Sequence, residues 1–182
     1  SSTGPLITPW EKREKTYERL LSLPVTLESI ILGDILAGSI FGIVITTIVW
    51  AAGSLIIHLP LANPGLLAGA LLLGAFTFAA LGTLLSSPAM SNPSNVMMVS
   101  NLIRLPLVFI SGIFIPLNQL GDWEWMLTSL SPLTYLVDLF NGAINGNAVY
   151  PAGLDVIVLI VVILLFIFSA KLIQQYNLSK GI

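Results

Sequence analysis

The chain has 182 residues, 55% of them hydrophobic and only 9% charged, with a net charge of -2 and a mean hydropathy of +0.94. A soluble domain carries far more charge, so lipid is the expected solvent for most of this chain. With no cysteine and His58 as the single histidine, disulfides, thiolate metal sites, a cysteine nucleophile and histidine metal clusters are excluded.

The sequence opens Ser1-Ser2-Thr3, with neither an initiator Met nor a signal-peptide pattern, and reads as a fragment. Thr8-Pro9-Trp10-Glu11 is a helix start: Thr8 caps, Pro9 suits the first helical position and Glu11 completes a capping box. An amphipathic helix is expected over 9–23. Glu11, Lys12, Arg13, Glu14, Lys15, Glu18 and Arg19 crowd it, while Trp10, Tyr17, Leu20 and Leu21 gather on one side. Such a helix lies on a membrane surface, either as an interfacial anchor or as a docking helix for a cytosolic partner.

Membrane spans are expected at 29–57, 65–87, 95–115 and 154–174, each long enough to cross a hydrocarbon core of about 30 Å. His58 ends the first, and the segment from Pro60 to Pro64 turns the chain. Pro88, Asn92 and Pro93 divide the long uncharged run that follows, and Ser94 is placed to cap the third span. The fourth is nearly all Val, Ile, Leu and Phe up to Lys171.

Residues 116–150 are apolar but broken by Pro116, Gly121, Pro132, Gly142 and Gly146, with Trp123 and Trp125 suited to the headgroup layer. They read as a re-entrant hairpin on the outer side, where Asp122, Glu124, Asp138 and the following Asp155 are tolerated. A competing parse makes 133–149 a fifth crossing, which would put the two termini on opposite sides. Lys12, Arg13, Lys15 and Arg19 precede the first span, Lys171 and Lys180 close the chain, and 116–155 has no basic residue. That distribution favours four crossings with both ends cytoplasmic. The expected fold is all-α: a polytopic helical membrane protein with four transmembrane spans, a re-entrant outer hairpin and an N-terminal amphipathic cytoplasmic helix.

No phosphate-cradling Gly-x-x-x-x-Gly-Lys-Ser/Thr string exists, nor His-Glu-x-x-His, nor a Gly-x-Ser-x-Gly elbow with its base. Asp34 and Asp138 are expected on opposite sides of the membrane and cannot share a proton as a protease dyad does. The chain itself is therefore not read as an enzyme. Arg104 stands inside the third span, where a central charge costs about 2.5 to 3.5 kcal/mol on insertion scales. It either snorkels to the interface or pairs with Asp34, or it contacts an anion or substrate in a polar cavity. Gly38-x-x-x-Gly42, Gly65-x-x-x-Gly69 and Gly142-x-x-x-Gly146 are expected to mark helix packing faces.

The charged stretch from Glu11 to Pro24 resembles the cytoplasmic segment of the membrane subunit of type-2 ATP-binding-cassette transporters, with Lys15 where glycine is usual. Ser111-Gly-Ile-Phe-Ile-Pro116, Leu120-Gly-Asp-Trp123 and Ser131-Pro-Leu-Thr-Tyr135 resemble that family's outer region in order and spacing, with Gly121 and Asn141 as departures. The resemblance implies a six-span permease, here lacking its first two spans, in the inner or plasma membrane. It implies a coupling helix at 9–23 in which Glu11, Arg13, Glu14, Thr16 and Glu18 contact a separate cytosolic ATPase. It further implies that ATP and Mg bind that ATPase, with no cofactor on this chain, and that a second permease subunit, identical or related, completes the pathway within membrane lipid. No nucleic-acid partner is implied. The rival reading is an integral membrane anchor or assembly protein that recruits a cytosolic partner and moves nothing.

Overall fold

The computed structural model describes residues 26–57, 61–88, 93–111 and 128–179. Among them the chain forms five helices and no strand: α1 (Leu27–Ile57), α2 (Pro64–Ser86), α3 (Pro93–Ile110), α4 (Pro132–Asn145) and α5 (Ala152–Ser179). The all-α membrane fold expected from hydropathy is the fold observed. The amphipathic helix expected over 9–23 and the first part of the outer hairpin lie outside the described residues.

Three helices are long and apolar enough to span a membrane, with 31, 23 and 28 residues in α1, α2 and α5. At 1.5 Å per residue they measure about 46, 34 and 42 Å, each more than the hydrocarbon core. α3 has 18 residues and is the shorter apolar helix of the set. With 14 residues, about 21 Å, α4 falls well short of a crossing.

Helix α2 is the hub, packing against α1, α4 and α5 and touching α3. In its most apolar window 44% of residues are buried, against 17% in α1 and 11% in α5, so the outer helices keep most of their apolar surface for lipid. Leu32, Ile40, Val49, Leu164 and Phe168 are among the large exposed side chains, as a lipid-facing surface requires. Two apolar clusters hold the bundle. One joins Ala70 of α2 with Leu133, Leu136 and Leu139 of α4 and Leu159 of α5. The other joins Ile31 and Ile35 of α1 with Ala79 and Ala80 of α2, with Ile163 and Phe166 of α5 packed against it.

Local chemistry sets the helix ends. Asn63 caps α2, its side-chain oxygen accepting from Gly65 N at 3.1 Å and Leu66 N at 3.3 Å, and Pro64 fills the first helical position. α4 likewise begins at Pro132 and stops at Gly146, whose φ of 72° is the left-handed C-cap conformation that glycine adopts freely. α3 begins at Pro93, so Ser94 falls inside its first turn and not at the expected cap position. The helix continues through Pro106, which withholds an N–H from the carbonyl one turn back.

Of the three glycine pairs, Gly38-x-x-x-Gly42 does face a helix: a Cβ on Gly42 would stand 3.4 Å from the Ala75 Cβ of α2. Among the described residues no helix packs on Gly65-x-x-x-Gly69. Gly69 has nothing within 4 Å of a built Cβ, and the nearest atom to Gly65 is its own cap at Asn63. Gly146 serves the C-cap, and Gly142 lies against Ala148 of the following turn.

Candidate functional site

Polar side chains collect at the two ends of the bundle. At one end α1 begins while α2 and α5 finish. Glu28, in the first turn of α1, forms an ion pair with Lys171 of α5. Beside it, Gln174 donates through Nε2 to Ser87 Oγ at 3.2 Å, and Asn177 donates through Nδ2 to the Ser87 carbonyl at 2.9 Å. Ser87 is the C-cap of α2, where carbonyls lack helical partners, so side chains of α5 satisfy the end of α2. The start of α1 and the ends of α2 and α5 are thereby tied together.

At the other end, α4 closes against the turn between α1 and α2. Ala62 N and Asn63 N donate to the Ala143 carbonyl at 3.0 and 2.9 Å. Asp138, in the middle of α4, is fully buried and accepts from Val149 N at 2.8 Å and Tyr150 N at 2.8 Å. The start of α4 is knitted down as well, Thr134 Oγ1 donating to the Thr128 carbonyl at 2.6 Å and Tyr135 OH to the Ser129 carbonyl at 2.9 Å. Asp138 and Asp155 are thus 0% exposed, where the sequence placed them as tolerated outer-side charges. Both face inward because α4 and the first turn of α5 pack on each other through Leu139, Val156 and Leu159.

Between these ends α1, α2 and α4 enclose a cleft of about 350 Å³ lined by Gly38, Gly42, Gly74, Leu136 and Phe140. Thr46, its hydroxyl-bearing side chain, spends that hydroxyl on the Gly42 carbonyl. The cleft therefore offers hydrocarbon contact.

Of the intramembrane charges singled out in the sequence, Asp34 is half-buried in the second turn of α1 and Arg104 is half-buried along α3. α3 rests on α2 and α4, and its Met98, Leu102, Leu105 and Phe109 are exposed beside Arg104. The interhelical ion pair at the Lys171 end, Glu28 with Lys171, was not foreseen. Its signal was present in hindsight, as one carboxylate at the start of the first span and one ammonium near the end of the last. Glu11, Arg13, Glu14, Thr16 and Glu18 lie outside the described residues.

Long lipid-facing helices, a short helix packed at one end and polar ties at both ends define a polytopic helical membrane protein. The chain belongs to the ABC-2 type transporter family, whose model matches residues 1–145. It is similar to nodulation protein J of Rhizobium meliloti (strain 1021), 26% identical over 154 residues, covering 80% of this chain and 55% of that protein. It is also similar to nodulation protein J of Neorhizobium galegae, 28% identical over 175 residues, covering 91% of this chain and 63% of that protein. The chain thus spans between about half and two thirds of the length of these curated relatives. No solved structure matches.

Proposed function

We propose that this chain is the membrane half of an exporter in which a separate cytosolic ATPase drives substrate movement through a pathway shared with a second permease subunit. One observation carries the reading beyond family membership. The charged segment 11–19 lies only a few residues before α1, and the first turn of α1 is tied to α5 through Glu28 and Lys171. A push on that segment has a short mechanical route into two of the long helices.

In this reading Glu11, Arg13, Glu14, Thr16 and Glu18 contact the ATPase, which holds ATP and Mg. Closure of the ATPase pair moves the coupling segment, and the helices rock between inward and outward access. The Lys171 end of the bundle is cytoplasmic, in keeping with the basic residues that flank the first and last spans. Arg104 lies half-buried on α3, which among the described residues packs on α2 and α4.

The test is purification of the full-length permease from native membranes, with a parallel sample carrying Glu14→Ala and Glu18→Ala. An ATPase should co-purify with the native protein and be lost from the variant. A native protein that is repeatedly free of ATPase would sink the exporter reading in favour of the anchoring one.

A further inference from the structure

Asp138 and Asp155 are both 0% exposed, yet their surroundings differ sharply. Asp138 accepts three short contacts from backbone N–H groups, at 2.8 and 3.1 Å from Val149 and at 2.8 Å from Tyr150. Those amide dipoles compensate a full negative charge. Asp155 has neither carboxylate oxygen hydrogen-bonded.

The donors one would expect near the start of a helix are already used. Leu154 N and Asp155 N both donate to the Pro151 carbonyl, at 2.8 and 3.4 Å. The N-terminal position on α5 would favour a negative charge if free N–H groups pointed at it, but none donates to Asp155. The neighbouring groups do not help either. From α4, Asp138 and Tyr135 both lie within electrostatic reach of Asp155. Tyr150, in the segment joining α4 to α5, stacks 5.6 Å from Tyr135. α2, which packs along α5, has no ionisable residue. The next charge on α5 itself, Lys171, is roughly 24 Å further along the helix and engaged with Glu28.

A buried carboxylate with no donor, facing a second carboxylate, is strongly disfavoured in its ionised form. A neutral carboxyl removes the charge and gains an O–H donor. We propose that Asp155 is a proton-binding site, occupied when the first turn of α5 is seated on α4, and that loss of this proton unseats that end of the bundle. The exchange is simple: the Asp155 carboxylate takes a proton from a hydronium ion, leaving water, and returns it to water or hydroxide. The segment 145–149, exposed along its length, gives solvent its way in.

The sign follows from linkage. A proton held in the folded state and released on unfolding stabilises the fold at low pH, and that contribution is lost as pH rises. The experiment is the thermal midpoint of the purified full-length protein in lipid nanodiscs at about pH 6 and about pH 8, in chelator, for the wild type and Asp155→Asn. The wild-type midpoint should fall by several degrees more than that of the variant, which has the same shape without the charge. Parallel falls would overturn the proposal. So would full restoration of the wild type at the higher pH by calcium or magnesium, since the bound cation would then be a metal. If Asp155→Asn does not fold, wild-type protein treated with a hydrophobic carbodiimide gives a second readout by mass spectrometry. Modification at Asp155 that declines as pH rises supports proton binding, and no modification there, or modification indifferent to pH, refutes it. These readouts are of stability and labelling, so they stand apart from whether the chain exports anything.

Discussion

Gly74 of α2 and Leu136 of α4 approach so closely that a Cβ built on the glycine would stand 2.9 Å from one Leu136 methyl and 3.0 Å from the other. Leu136 belongs to the apolar cluster that joins α4 to the hub, so the contact sets how deeply α4 seats. Gly74→Ala forces the Leu136 methyls aside but gains about 1 kcal/mol of helix propensity, so its net cost should be small. Gly74→Val, bulkier and β-branched, should cost about 1 to 3 kcal/mol through overpacking. Adding Leu136→Ala should return part of that loss, so that the double variant is less damaged than the two single effects summed. Denaturation midpoints in detergent check the non-additivity.

Removal of the Asp138 carboxylate strips the partner from two backbone N–H groups in the connection to α5. Hydrogen bonds to a charged group contribute about 1.5 to 3 kcal/mol each, so Asp138→Ala should be among the more damaging single changes at this end of the bundle. Asp138→Asn keeps an acceptor and should fall between the two. The local signature is faster amide exchange at Val149 and Tyr150, measured by hydrogen-exchange mass spectrometry.

The Glu28–Lys171 pair is partly solvated, with side chains 62% and 34% exposed, so its direct effect on stability should be small. In the proposed exporter its role is transmission. Glu28→Lys and Lys171→Glu should each leave the thermal midpoint within scatter while lowering substrate-stimulated ATPase activity of the reconstituted transporter several-fold. The doubly reversed protein should recover that coupling, an outcome that mere loss of a surface charge would not give.

Asn63 provides a local control. Its side chain satisfies two amides at the start of α2, and Asn63→Ala should cost about 1 kcal/mol, while Asn63→Asp or Asn63→Ser should cost little. Stability of the same variants at high and low salt separates cap loss from any change in surface charge.

The fold class was legible because it rests on composition and on long uncharged runs punctuated by Pro and Asn, and both survive in one dimension. Three of the described helices begin where Pro64, Pro93 and Pro132 fix φ, a constraint carried by the residue itself. Asp138 and Asp155 show what was not legible. A carboxylate in a broken apolar stretch looks like a solvated charge, and nothing in its immediate neighbours announces that backbone amides eleven and twelve residues later will close over it. Gly65 and Gly69 fail for the converse reason: spacing supplies a smooth face, but only the tertiary arrangement decides whether a helix lies against it. Glu28 and Lys171, more than a hundred residues apart, could be paired only once α1 and α5 were known to bring those positions to one end.

The hold of α5 on Ser87 limits how the bundle can move. Gln174 and Asn177 reach the same cap residue, one through its hydroxyl and the other through its carbonyl. Sliding α5 along its axis by a full turn, about 5.4 Å, would break both contacts and the Glu28–Lys171 pair together. Tilting α1, α2 and α5 as one block would break none of them. The bundle is therefore built like a lever with a pinned foot, and among the described helices the freedom to change shape falls to α3, which packs mainly on α2 and α4.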